Sequence, residues 1–141
     1  MVITVGNKSV EIPKRKLTKL SKNYEECASV MDLIYVNDQD IGIERILKGK
    51  NFEFILSAKK ITDKDTLKRI KELVIPPAWE KVWISPQENG HIQVTGLDNK
   101  GRKQYRYHPL WIALRDQTKY FRLRDFGRVL PEIRKRLQSD L

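Results

Sequence analysis

The apolar pattern of this chain changes period at Pro109, from about 2 to about 3.6 residues, and that change limits the folds open to it. Ahead of Pro109, Lys81–Ser85, His91–Thr95 and Lys103–Tyr107 read as three strands, separated by the turn-rich stretches Pro86–Gly90 and Gly96–Gly101. Behind it, Leu110, Trp111 and Leu114 lie on one helical face reaching about Tyr120, with Pro109 in the first turn and His108 as its cap. Leu123, Phe126, Leu130, Ile133 and Leu137 then predict a further helix, which Pro131 should kink or split because it has no N–H to donate. The class that follows is α+β: a mostly antiparallel sheet of about five strands, helices on one side or end, and basic C-terminal helices.

The N-terminal part fits the same class. Val2–Val5 and Val10–Ile12 flank Gly6-Asn7, which predicts a small hairpin or a loose arm. Leu17, Leu20, Tyr24, Cys27 and Met31 mark one stripe of an amphipathic helix after Pro13. Leu33–Val36 reads as a strand, and Ile41 to Leu56 as a hairpin turning at Gly49-Lys50-Asn51. Thr62 and Asp65 are spaced as a capping box for a helix from about Asp63 to Leu73, which must stop before Pro76-Pro77.

Charge is unevenly spread. The net charge is +10, and residues 101–141 contribute +7 of it, with seven of their eight arginines between Arg106 and Arg136 in predominantly helical sequence. Such asymmetry favours a polyanion partner, and nucleic acid over an anionic membrane, since no apolar insertion face is evident. No apolar run approaches the roughly 20 residues that span a bilayer. The N-terminus lacks a secretory pattern, so a cytoplasmic, nucleoid-associated setting is expected. The lone Cys27 cannot form an internal disulfide and reads as a packing residue, while His91 and His108 lack zinc-ligand spacing; no metal or other cofactor is expected.

The chemistry concentrates in Gly101-Arg-Lys-Gln-Tyr-Arg-Tyr-His108, where three cations, two phenols and an amide interleave on strand-forming sequence. Cations neutralise phosphates, phenols pack on sugars or base edges, and the Gln104 amide matches adenine in the major groove. The blander reading is an edge strand with solvated cations and half-buried tyrosines. Trp79, Trp83 and Trp111 have apolar neighbours and read as anchors between sheet and helices. A stand-alone module for RNA or single-stranded nucleic acid, stacking bases on Tyr105 and Tyr107, is the alternative.

Three blocks carry a resemblance: Ile75-Pro-Pro-Ala-Trp-Glu-Lys-Val-Trp-Ile84, Gly90-His-Ile-Gln-Val-Thr-Gly96 and Asp98-Asn-Lys-Gly-Arg-Lys-Gln-Tyr-Arg-Tyr-His-Pro109. Together they resemble the N-terminal domain of bacterial and poxvirus-type type IB DNA topoisomerases, from about Asp32 to Leu137. The resemblance implies 32–141 as the DNA-binding domain and leaves residues 1–31 as an N-terminal extension, which the Leu17–Met31 stripe makes partly helical. In the family that domain and a catalytic domain close on duplex DNA, and a catalytic-domain tyrosine forms a 3′-phosphotyrosyl link, without ATP or metal.

Carried to matching positions, the resemblance implies that Lys100, Arg102 and Lys103 face phosphates. Gln104 and Tyr105 would reach base edges, and Tyr107 and Arg115 the backbone. Arg106 stands where poxvirus relatives carry an aromatic and supplies a further cation; His108 replaces their glycine, so the strand ending does not transfer. No catalytic Arg, Lys, His or Tyr of the family can be assigned here. The partners implied are double-stranded DNA and the enzyme's own C-terminal catalytic domain, and this chain on its own is expected to be inactive.

Overall fold

A computed structural model describes residues 2–13, 15–16 and 23–141. The chain packs as two compact units, Ala28–His108 and a second formed by Met1–Cys27 with Pro109–Leu141. The stripe expected at Leu17 and Leu20 falls outside the described residues; its C-terminal part is helix α1, Tyr24–Val30. Asn23 supports the start of α1, its Oδ1 accepting from the backbone N–H groups of Glu25 and Glu26 at 3.1 and 3.3 Å.

The unit Ala28–His108 is built on a six-stranded sheet. Its strands are β3 (Ile43–Lys48), β4 (Asn51–Leu56), β5 (Lys59–Lys60), β6 (Glu80–Ile84), β7 (Ile92–Leu97) and β8 (Lys103–Tyr107), in the order β5-β4-β3-β6-β7-β8. All neighbours are antiparallel. The order leaves β8 as an edge. The hairpin expected between Ile41 and Leu56 is β3–β4, closed by Lys48 opposite Asn51. Strand β5 has only two residues, too few for an alternation to announce it, and it brings this sheet to six strands.

Helix α2, Lys64–Glu72, lies between β5 and β6 in sequence and buries Ile70 in the core of Ile43, Val82, Ile84 and Val94, with Phe54, Leu56, Ile61, Leu73, Ile75 and Trp79 packed around it. The cap differs from the expected Thr62–Asp65 box. Asp63 is the N-cap, its Oδ2 accepting from Thr66 N–H at 2.8 Å and Thr66 Oγ1 at 2.6 Å. A carboxylate satisfies two donors where the Thr62 hydroxyl would satisfy one, and it also suits the helix dipole.

Leu33–Val36 is not a strand. Only Ile34 bridges to Gly90, in parallel, and the Val36 N–H donates to the ring Nδ1 of His91 at 3.0 Å instead of entering a ladder. A side chain has replaced the partner strand. Two arginines are likewise spent inside the unit. Arg45 donates to the carbonyls of Pro76 and Trp79 at 3.1 and 2.6 Å, and Arg69 to Gln93 Oε1 and Ser85 O at 2.9 and 2.6 Å. They tie the 76–79 loop and α2 to the sheet.

The other unit contains the expected hairpin, β1 (Val2–Val5) and β2 (Lys8–Glu11), in register from Val2 opposite Glu11 to Val5 opposite Lys8. Strand β1 packs on helix α3, Pro109–Asp140. Ile3, Ile12, Leu110, Trp111 and Leu114 are buried, as is Cys27, and the Tyr24 ring lies 6.4 Å from that of Trp111. Helix α3 runs unbroken through Pro131 where two helices were expected. A proline forfeits one backbone bond in the interior of a helix, and 32 residues of otherwise continuous helix outweigh that single loss.

Candidate nucleic-acid interface

Strands β7 and β8 are joined by Asp98-Asn-Lys-Gly101. Gly101 closes the turn with φ of 71°, a conformation open to glycine without the clash a Cβ brings, and its N–H donates to Asp98 O at 2.8 Å. Beyond the turn, successive side chains of β8 take opposite faces. Lys103, Tyr105 and Tyr107 share one face, and Gln104 and Arg106 the other. Registry places Tyr105 opposite Thr95 and Gln104 opposite Gly96.

On the first face the Tyr105 and Tyr107 rings lie nearly parallel, at 8°, with centroids 5.9 Å apart, and Tyr105 is 43% exposed. Lys103 Nζ sits 5.4 Å from the Tyr105 ring centre and forms an ion pair with Asp38 at 2.5 Å. The hydrogen bond to Asp38 raises the lysine's pKa. Asp38 loses some solvation, which raises its own value, yet hydrogen bonds from Lys103, Thr95 and Gln39 bring it below the ordinary carboxylate range. Beneath Tyr107, His91 is buried and stacks on Tyr35 with centroids 4.1 Å apart. Burial pushes the imidazole's pKa down, so it stays neutral as acceptor for Val36.

On the second face Arg106 lies over the ring of Trp79 at 5.9 Å, a cation–π arrangement. Trp79 itself packs against the core, and Trp83 donates from Nε1 to Asp40 O at 3.0 Å. A Cβ on Gly42 would overlap the Trp83 indole, which is why a glycine stands there. Trp111 is buried in the other unit; Trp79 and Trp111 pack in cores, whereas Trp83 is half-buried and holds the Asp40 loop.

The turn and its Arg102 cation are held by Asp98. Its Oδ1 accepts from the backbone N–H of Lys100 and of Arg102, each at 2.9 Å. Its Oδ2 accepts from Arg102 Nε at 2.9 Å and Gln104 Nε2 at 3.0 Å, and lies 2.8 Å from Arg102 Nη2. These bonds, led by that from the Arg102 backbone, lower the Asp98 pKa to about 2. A cleft of about 370 Å³ beside this turn is lined by Pro76, Ala78, Trp79, Asp98, Asn99, Lys100 and Arg102.

The structure therefore brings Lys100, Arg102, Lys103, Gln104, Tyr105, Arg106 and Tyr107 together on one hairpin, but divides them between two faces. Arg115 belongs to α3 in the other unit, where it is exposed and its Nη2 lies 3.5 Å from Asp116 Oδ1. The sequence reading missed both aspartates. Asp98 was legible as the residue opening an Asx-type turn ahead of Gly101; Asp38, 65 positions from Lys103, left no local signal. Among the described residues no group of three or more His, Cys, Asp or Glu is placed to hold a metal ion, and no helix is long and apolar enough to cross a membrane.

The arrangement defines an α+β domain with a basic, aromatic-bearing sheet edge. The profile described as "Bacterial DNA topoisomerase IB, N-terminal domain" matches residues 51–98, from β4 to the first residue of the β7–β8 turn. Over 101 residues, 70% of this chain, it is 40% identical to DNA topoisomerase 1B of Acanthamoeba polyphaga mimivirus. The chain belongs to the type IB topoisomerase N-terminal domain family, as its sequence blocks suggested. The matched part spans 30% of that relative's length.

Proposed function

We propose that this chain is the duplex-DNA-binding half of a clamp whose other half, a catalytic domain, cleaves and rejoins one strand through a 3′-phosphotyrosyl link and so relaxes supercoils. The parent activity is that of an ATP-independent isomerase. Residues 32–141 are the domain and 1–31 an extension of it. One observation carries the reading: the edge strand β8 and its turn gather Lys100, Arg102, Lys103 and Arg106 beside two phenols and an amide. Edge position leaves the rim open to a groove-sized ligand, and the cations supply the salt-dependent attraction to phosphate.

In this reading Lys100, Arg102, Lys103 and Arg106 contact phosphates, Gln104 and Tyr105 approach base edges, and Tyr107 and Arg115 contact the backbone. Lys103 leaves its ion pair with Asp38 to do so. The tyrosines are read as contacts and not as nucleophiles, because the catalytic Arg, Lys and His residues of the family that would stabilise a phosphorane are assigned to no position of this sequence. Competition between duplex and single-stranded oligonucleotides of equal length tests the assignment. Duplex is expected to win, and preference for the single strand would replace it with a base-stacking module. The 141-residue chain alone is expected to leave supercoiled plasmid unrelaxed, and reproducible relaxation would locate the chemistry here instead.

A further inference from the structure

Gln104 is useful as a base reader only if its amide points one way. An adenine edge in the major groove offers the N7 acceptor beside the N6 donor, so the matching amide presents N–H to the first and oxygen to the second. Rotated by half a turn, the same amide sets oxygen against N7 and N–H against the amino group. A free glutamine samples both. Gln104 is not free, because its Nε2 lies 3.0 Å from Asp98 Oδ2.

An ionised carboxylate only accepts, so it must face the amide nitrogen and never the amide oxygen. Asp98 is fixed in turn by the backbone N–H groups of Lys100 and Arg102 and by the Arg102 guanidinium. Its position is thus set by the turn and not by the glutamine. We propose that Asp98 is a positioning residue for base selection: it locks the Gln104 amide in the orientation that presents Oε1 and the remaining N–H together to adenine. This deepens the duplex reading above and rests on it.

The full chain is tested by selection from duplexes carrying a randomised central segment, comparing wild type, Gln104→Ala and Asp98→Asn. The wild type is expected to enrich an A·T pair at one position, and Gln104→Ala to lose that preference. In Asp98→Asn the new amide can pair with either orientation of Gln104, so discrimination at that position falls on the order of tenfold. Overall duplex affinity rises at the same time, since a negative charge has gone. Higher affinity with the adenine preference kept would reduce Asp98 to a charge and a loop anchor, and would overturn the inference alone. A wild type that binds no duplex would overturn the underlying reading and this inference with it.

Should Asp98→Asn fail to fold, the wild type still decides by NMR without DNA. The Gln104 side-chain N–H signals are expected to move with the titration of Asp98, near about pH 2. Signals indifferent to that titration would mean the two side chains are uncoupled.

Discussion

His91 shows what a single side chain does when it takes the place of a strand. Its Nδ1 accepts the Val36 N–H, so protonation would set donor against donor in a buried site. Burial accordingly holds its pKa below the ordinary 6.5. Just below pH 6.5 the unfolded chain therefore takes up a proton that the folded chain refuses, and stability is lost as pH falls through that value. His91→Asn keeps an acceptor near the same place but does not titrate. Urea midpoints between neutrality and mild acid should fall less in the variant than in the wild type, even if the variant starts lower for want of the Tyr35 stack. Parallel decline in both would take His91 out of the acid response. At this scale the sequence was informative about chemistry and silent about partners. Glutamine, tyrosine and lysine on one strand were legible, whereas the carboxylates engaging them come from a turn and from residue 38, and only folding brings these together.

The elements were legible where period and turn residues agreed. Hairpins β1–β2 and β3–β4 and helix α2 lie close to where alternation, Gly-containing turns and the Pro76-Pro77 stop put them. Leu33–Val36 had the composition of a strand, but its hydrogen-bonding groups are taken up by Ala28, Asn89 and His91 instead. Composition cannot reveal such a choice. The end of α2 carries a strain that sequence alone also hides: Val74, after the C-cap Leu73, has φ of 47° and is 70% exposed. This is the position that glycine usually occupies, and a left-handed conformation costs an L-residue about 1–2 kcal/mol. Val74→Gly should raise stability by about 1 kcal/mol, since little buried surface goes with the side chain, and should raise the thermal midpoint by roughly 4 °C. A lower midpoint would show that Val74 contributes more by packing than its backbone costs.

At the scale of the whole molecule the charge distribution governs association. The net charge of +10 favours polyanions, but the candidate interface is less cationic than its sequence, because Asp98 engages Arg102 and Asp38 engages Lys103. A phosphate that captures either cation must displace a carboxylate already there. In the proposed complex, net counterion release would therefore count the full charge of Lys100 and Arg106 and only part of that of the paired cations. Duplex affinity should fall linearly with the logarithm of salt, by about 0.9 log units per decade for each phosphate neutralised. Replacing Arg102 and Lys103 together by Ala should flatten that slope by less than the roughly 1.8 that two free cations would give. Fluorescence anisotropy on a labelled duplex across a salt series reads both slopes. An unchanged slope would remove the pair from the contacts, while a loss of the full amount would mean that the aspartates let go without cost when DNA arrives.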